Sequence, residues 1–530
     1  VCRTIELASN DRLYQLIQAL QAKARFDHPV ERFELLKTHI SYVLLTGPYA
    51  YKFKKPIDLG FLDFGTLAKR KFYCEEELRL NRRLAPTLYL EMVPITGSEL
   101  TPVLGGTGSP IEYCIKMVQF PQDAQLDRVL KRGELSRRHI DELATQIASF
   151  HERIALAGAD TPFGTPAQIR RYALENFDET SPLLGEAHAM ESQDELRAWT
   201  IKNLDRLDGF FRERKQRGWV RECHGDMHLT NMVLLDKQVV IFDCIEFNEF
   251  LYWIDVISEI AFLLMDLDYR DRPDLAHRFL NRYLEQTGDY AGLALLDFYR
   301  VYRTLVRAKV ADIQCRQLAA STTGRQAPLQ RYLHHVELAR RYTNKRKSTP
   351  LVITHGLSGS GKTWLTSRLV ELAGAIRIRS DVERKRLQGL ITPNARTGSH
   401  VGEDLYQPGM TERTYERLLA LAREVLTSGF PAIVDATFLK RSHRDAFRQL
   451  ATRFDVPYRI LDLKASAPTL RDRIMRRQIE KEDASEATLA VLDYQLGSRE
   501  PLTPDEAAFT VTVDTETDVN MSGIADQIIK

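Results

Sequence analysis

The sequence predicts two folded parts in tandem: an α+β part with a small lobe and a helical lobe, then an α/β part on a parallel sheet. Three patterns carry this. Short strand-like runs surround one charged helix up to about residue 120. A mostly helical stretch follows from Leu126. From Leu351 onward strands and helices alternate, the signature of a parallel sheet covered on both faces.

In the first part, Ile40 to Leu45 and Ala50 to Lys54 read as two strands around a Gly47-Pro48 turn. Leu67 to Leu84 reads as an amphipathic helix, and Ile111 to Phe120 as a strand before a PQDAQ loop. The helical stretch is interrupted at Cys223 to Asp243. There a loop leads into strands Met232 to Leu235 and Val239 to Phe242, joined by a turn at Asp236-Lys237. The basic, polar run Arg340 to Pro350 reads as a solvated linker, giving an expected division of 1–340, 341–349 and 350–530.

The 530 residues carry a formal net charge of +2, and residues 351–530 hold 25 basic and 25 acidic side chains. That balance argues against non-specific coating of nucleic acid, whose affinity comes from displaced counterions. The six cysteines form no C-x-x-C pair, so a disulfide framework or zinc site is not expected and a cytoplasmic location is. No apolar run reaches the roughly 18 residues that span a bilayer. The chain starts on Val1 without a signal-peptide layout, which suggests a trimmed start.

Two segments carry chemistry. The first is HGDMHLTN, His224 to Asn231, followed by Asp243 after the hairpin. An Asp on a loop can accept a hydroxyl proton, and an Asn five residues later with a second Asp can hold Mg²⁺ against phosphates. Asp226 is the expected base, and Asn231 and Asp243 the expected metal ligands. His224 and His228 are expected to brace the loop; as an isolated pair they lack further ligands for zinc.

The second is GLSGSGKT, Gly356 to Thr363, with a strand before it and a helix after it. Gly356, Gly359 and Gly361 let backbone amides curl around phosphate oxygens, with Ser358 and Ser360 between them. Lys362 reaches the β- and γ-phosphates, and the Thr363 hydroxyl is placed for Mg²⁺. In such sheets the ligand lies beyond the carboxyl ends of the strands. Asp381 and Asp435 follow the next two strands there. Asp381 is the expected base for an acceptor hydroxyl. Asp435 is expected to orient Mg²⁺ or its waters. A helix N-cap is the competing role for both. Arg473, Arg476 and Arg477 share a helix face. They can stabilise charge on a transferring phosphoryl group, or they form a solvated basic face.

The pattern H-G-D-x-H-x-x-N followed by IFD resembles the aminoglycoside phosphotransferase and choline kinase family, which has the protein-kinase fold, over residues 25–340. The resemblance places Lys52 or Lys54 as the phosphate-binding lysine and Glu77 or Glu76 as its helix partner. A departure is LLTGPYAY between the first two expected strands, with a single glycine where a Gly-rich cover would sit. The C-terminal part resembles P-loop kinases of the polynucleotide-kinase and zeta-toxin type. It does so through the phosphate loop, Asp381 and Arg384 in D-x-x-R, DAT at Asp435 to Thr437, and the arginine helix. That likeness implies Asp381 as base and Arg384 as a contact to acceptor or phosphate. The whole chain is similar to bacterial fusions of the two.

The combined expectation is an ATP-dependent (or other NTP-dependent) phosphotransferase using Mg²⁺. The acceptor is a hydroxyl-bearing small molecule or a nucleic-acid end, with no membrane partner and no assigned oligomeric state. Rival expectations are a P-loop kinase regulated by an inactive first half, and a nucleotide-dependent switch without an acceptor.

Overall fold

The structure, a computed structural model, describes residues 2–60, 62–180, 187–317, 323–344, 346, 348–390, 408–480 and 488–529. The chain forms two compact units. One gathers Val1–His139, Ile154–Gln168 and Phe211–Glu259; the other gathers Ile140–Arg153, Ile169–Phe210 and Ile260–Lys530.

The first unit contains β1 (Glu34–Lys37), β2 (Ser41–Leu45), β3 (Tyr49–Lys54), β4 (Tyr89–Ser98), β5 (Thr101–Leu104) and β6 (Glu112–Val118). They form one sheet in the order β1-β2-β3-β6-β4-β5, with every pairing antiparallel. Helix α1 (Cys2–Lys23) covers one face, where Leu16, Ile17 and Leu20 pack with Leu44, Tyr51 and Phe53. Helix α2 (Leu67–Asn81) covers the other, where Cys74 and Leu78 pack with Ile115. Successive strand residues face opposite ways. Since Tyr51 and Phe53 are taken by the α1 core, Lys52 and Lys54 face α2. The Thr66 hydroxyl caps α2 by accepting the Lys69 amide, and the helix stops at Asn81, short of the expected Leu84.

The structure corrects the order of the first strands. Glu34–Lys37 precedes the pair expected from sequence. This short, half-exposed edge strand has no alternation to betray it. The turn between the first two strands is therefore Thr38 to Ile40, which contains no glycine, and Gly47-Pro48 joins β2 to β3. Strands β7 (Val220–Glu222) and β10 (Trp253–Asp255) pair outside the expected set. Between them, β8 (Met232–Leu235) and β9 (Gln238–Ile241) form the expected hairpin. Asp236 and Lys237, at φ 48° and 66°, give its turn the twist that two-residue hairpins favour.

In the second unit, β11 (Leu351–His355), β12 (Ile376–Arg379), β13 (Ala432–Asp435), β14 (Tyr458–Lys464) and β15 (Thr510–Asp514) form a parallel sheet in the order β12-β13-β11-β14-β15. Strands β11 to β13 are buried along their whole length, as expected for a sheet covered on both faces. Val352, Ile433 and Leu461 pack against Leu365, Leu369 and Val370 of the helix after the phosphate loop. The helices that matter for the site are α3 (Pro273–Thr287), α4 (Lys362–Ala373), α5 (Ser380–Leu387), α6 (Pro408–Thr427), α7 (Ala467–Glu480) and α8 (Leu489–Ser498). Gly429, at φ 78°, follows the end of α6.

Residues 341–349 fall within the Ile260–Lys530 segment of this one unit. Arg346 is not solvated as expected: it donates to Asp297 at 2.9 Å and lies 3.7 Å over the Phe430 ring. Lys345 and Lys347 lie outside the described residues.

Leu369 is fully buried in the sheet–helix core. Leu369→Ala is expected to cost about 2–5 kcal/mol of stability, read as a lower urea midpoint at unchanged slope.

Candidate active sites

The first site is built on β3, α2 and the loop and hairpin that follow β7. Lys52 Nζ donates to Glu77 Oε1 at 2.7 Å and to Asp243 Oδ1 at 2.6 Å. Lys54 Nζ donates to Glu77 Oε2 at 2.6 Å and also to Glu246. Glu77 thus receives both lysines, while Glu76 pairs with Arg79 on the outer side of α2. Burial works against the Glu77 charge, but Lys52 and Lys54 outweigh it and hold its carboxyl low. Burial would likewise lower Lys52, yet Asp243 and Glu77 keep it well above its ordinary value. Burial raises Glu246 above the usual carboxylate range, with Lys54 opposing.

Asp226 and Asn231 are tied to each other. The Asn231 amide donates to the Asp226 carboxylate at 2.9 Å and to its main-chain oxygen at 3.0 Å. His228 Nε2 lies 3.2 Å from the same carboxylate. His224 is fully buried; its Nδ1 accepts the Asp226 amide at 3.2 Å and its Nε2 donates to Phe242 O at 2.8 Å. The Phe242 carbonyl places a proton on Nε2. Burial opposes the ring's charge, but Cys244, Glu259 and that carbonyl outweigh it and push the pKa up to about 9. The Glu259 carboxylate accepts the amides of His224 and Gly225, at 2.6 and 2.9 Å. The loop is therefore fixed from beneath by its histidines and Glu259. Asp243 sits at φ 64° just past β9, with its side chain 43% exposed. A left-handed residue there turns the carboxylate off the strand line and onto Lys52.

The second site lies at the carboxyl ends of β11, β12 and β13. The loop from Gly356 to Thr363 curls tightly. A Cβ on Gly356 would come within 2.7 Å of Ser360 Oγ and 2.8 Å of Leu463 O, and one on Gly359 within 2.8 Å of Leu470 O. Only glycine fits either place. Lys362 Nζ folds back over the loop, donating to the carbonyls of Gly356 at 3.1 Å and Leu357 at 2.8 Å. Gln495 on α8 accepts the Ser358 amide at 2.9 Å, and Thr437 O accepts that of Gly356 at 3.2 Å. Ser360 Oγ is buried without a hydrogen-bond partner in the structure. A glycine cradle, an orphaned hydroxyl and a lysine closing on bare carbonyls fit a phosphate chain with its Mg²⁺.

Asp381 is in the first turn of α5, and Arg384 Nη1 lies 3.3 Å from its carboxylate. The competing cap role is not realised: the cap residue is Arg379, and no side chain caps that helix. Asp435 accepts the Thr366 hydroxyl at 3.0 Å, one helical turn beyond Thr363. Of Arg473, Arg476 and Arg477 on α7, Arg473 reaches the loop. It donates to Gly359 O at 3.3 Å, Thr515 Oγ1 at 2.9 Å and Thr515 O at 2.7 Å. Arg476 is turned to Asp472 on its own helix and is 71% exposed. Arg477 is half-buried.

The structure adds residues the sequence did not single out. Glu246 completes the lysine cluster three residues after Asp243. Gln495 and Thr515 tie distant segments to the phosphate loop. Tyr415 on α6 accepts the Phe438 amide at 2.9 Å beside the DAT segment. Only Glu246 left a trace in sequence, as a carboxylate near the hairpin's charged end.

Residues 74–296 match the model of the phosphotransferase enzyme family, and residues 351–502 match that of an AAA domain. Rv2004c, an uncharacterized protein of Mycobacterium tuberculosis, is 30% identical over 487 residues, covering 89% of this chain and 93% of its own length. Mb2027c of Mycobacterium bovis matches to the same extent.

The chain belongs to the same family as these mycobacterial proteins.

Among solved structures, a choline/ethanolamine kinase family protein from Mesorhizobium loti is 12% identical, covering 60% of this chain and 94% of its own, at TM-score 0.34. A gluconokinase from Sinorhizobium meliloti is 23% identical, covering 35% and 91%, at TM-score 0.23. The family's two segments have a protein-kinase-like phosphotransferase fold and a P-loop kinase fold with a parallel five-stranded sheet. Two kinase-like domains of this kind support a phosphotransferase, and their folds imply nucleotide binding.

Glu77→Ala would leave two buried ammonium groups short of a partner, and is expected to cost about 3–5 kcal/mol. Glu76→Ala removes only an outer pair and is expected to cost under about 1 kcal/mol. Chemical denaturation of both variants checks the contrast.

Proposed function

We propose that this protein is an ATP-dependent kinase with two sites, each transferring the γ-phosphoryl group to a hydroxyl. The junction of the two functional parts is at residues 341–349. The observation that carries the reading is the phosphate loop, with its glycine-only approaches and Lys362 folded over bare carbonyls.

At the C-terminal site, the amides from Gly356 to Thr363 and the Lys362 ammonium hold the triphosphate in line with the acceptor. Asp381 takes the acceptor proton as the hydroxyl oxygen bonds to phosphorus and the bond to the leaving diphosphate breaks. Arg384 orients the Asp381 carboxylate and contacts the acceptor or its phosphate. Thr363 and Asp435 would hold Mg²⁺ or its waters. Arg473 lies where charge on the phosphates accumulates, and Arg476 and Arg477 swing in from the same helix. At the N-terminal site Lys52, set by Glu77, holds phosphate oxygens, Asp226 is the base, and Asn231 and Asp243 would hold the metal. Bound Mg²⁺ neutralises phosphate charge at both sites.

The even charge of residues 351–530 favours a small hydroxyl compound or a short nucleic-acid end over a long duplex as acceptor. No helix among the described residues is long and apolar enough to cross a membrane. Buried free thiols at Cys74, Cys114, Cys223, Cys244 and Cys315 support a reducing, cytoplasmic setting.

A second reading, in which the N-terminal site binds and regulates without turnover, is favoured by one observation. The Thr38 to Ile40 turn, at the place of the phosphate cover, has no glycine.

The test is γ-labelled ATP offered with RNA ends, sugars and aminoglycosides. Label is expected in an organic phosphoester, and on the acceptor of the C-terminal site it falls about 100-fold in Lys362→Ala and in Asp381→Asn. Label released only as free phosphate would refute transfer. An Asp226→Ala variant indistinguishable from wild type on every acceptor would select the second reading.

A further inference from the structure

Glu285 lies on α3, inside the segment that matches the phosphotransferase family, yet its partners belong to the phosphate-loop site. It is 3% exposed. Its Oε1 accepts Arg377 Nη2 at 2.6 Å and Arg377 Nε at 3.0 Å. Its Oε2 is 3.8 Å from Arg379, and its main-chain oxygen accepts Arg386 at 2.6 Å. Arg377 and Arg379 are on β12, and Arg386 is on α5 with Asp381.

The other end of the Arg377 guanidinium grips α4. Its Nη1 donates to Ser367 Oγ at 2.6 Å and lies 3.3 Å from both Thr363 O and Thr366 Oγ1. Thr366 in turn donates to Asp435. An unbroken path thus runs from Glu285 through Arg377 to the main chain of Thr363 and, through Thr366, to Asp435. Asp435 stands opposite Arg379 in the β12–β13 register. A buried carboxylate beside both arginines offsets their charge from the α3 side, hydrogen-bonding Arg377 and lying 3.8 Å from Arg379. The Glu285 carboxyl is held low: burial opposes its charge, and Arg377, Arg379 and Arg282 outweigh burial. An independent observation ties α3 to the same strand. Asn281 donates to Ala375 O at 2.9 Å and accepts the Arg377 amide at 2.6 Å, completing the open edge of β12 as another strand would.

We infer that Glu285 is a positioning residue for the phosphate-loop site, acting through Arg377 to fix the first turn of α4 and, through Thr366, the Asp435 carboxylate that would orient Mg²⁺. The P-loop kinase site is therefore incomplete without a helix supplied by the preceding family segment. This rests on the phosphate-loop reading above.

The test is calorimetric binding of ATP to the full chain, with and without Mg²⁺, for Glu285→Gln, Arg377→Met and the double variant. Affinity with Mg²⁺ is expected to fall at least about tenfold in each single variant, while affinity without Mg²⁺ moves less than about threefold. The double variant is expected to fall no further than the singles, because the two act in series. Ser367→Ala trims the same grip without emptying a buried charge, and is expected to shift Mg²⁺-dependent affinity the same way should a charge variant fail to fold. Equal losses with and without Mg²⁺, additive losses, or wild-type binding in both Glu285→Gln and Ser367→Ala would overturn the inference while leaving the phosphate-loop reading intact. A wild-type chain that binds no ATP would overturn both.

Discussion

Glu77 is fully buried and accepts hydrogen bonds from two lysines on one strand. A carboxylate taken out of water survives as a charge only when cations surround it, and the pair gains little unless its geometry is fixed. The small lobe supplies that geometry. The period of β3 puts Lys52 and Lys54 on one face, α1 occupies the opposite face, and α2 presents Glu77 between the two ammonium groups. Asp243 then meets Lys52 because its left-handed backbone turns it there. Asn81 at the end of α2 adds a second tie by accepting the Cys244 amide at 2.9 Å.

The same device recurs at the other site. Glu285 sits between Arg377 and Arg379, as Glu77 sits between Lys52 and Lys54. In both, one buried acid sets the direction of a neighbouring cation. The differences follow from the folds. In the antiparallel lobe the acid comes from a helix local in sequence; in the parallel sheet it comes from a helix of another family segment, laid on the exposed edge of β12. An edge strand needs a cover, and the Asn281 amide together with Glu285 provides it.

Much of the site was legible because its chemistry is local. The phosphate loop needs its glycines, lysine and threonine within eight consecutive positions, and a strand–loop–helix passage supplies the rest. The Asp226–Asn231 pair is likewise one loop, and its mutual hydrogen bonds are a property of that spacing. By contrast, the choice of Glu77 over Glu76 depended on which side of α2 faces the sheet. The first strand was missed because four half-exposed residues carry no periodicity. Arg346 looked solvated because composition cannot reveal an Asp and a Phe brought from elsewhere in the chain.

By itself, the sequence determined the two kinds of fold, the phosphate-loop motif and the Asp226–Asn231 pair, since each rests on periodicity or on contacts within a few residues. Only tertiary structure decided that Lys52 is shared by Glu77 and Asp243, that Arg473 and not Arg476 reaches the loop, and that Glu285 braces Arg377. Those contacts join residues 25 to 191 positions apart. Their partners are selected by packing and buried charge, and no short-range pattern in the chain records that choice.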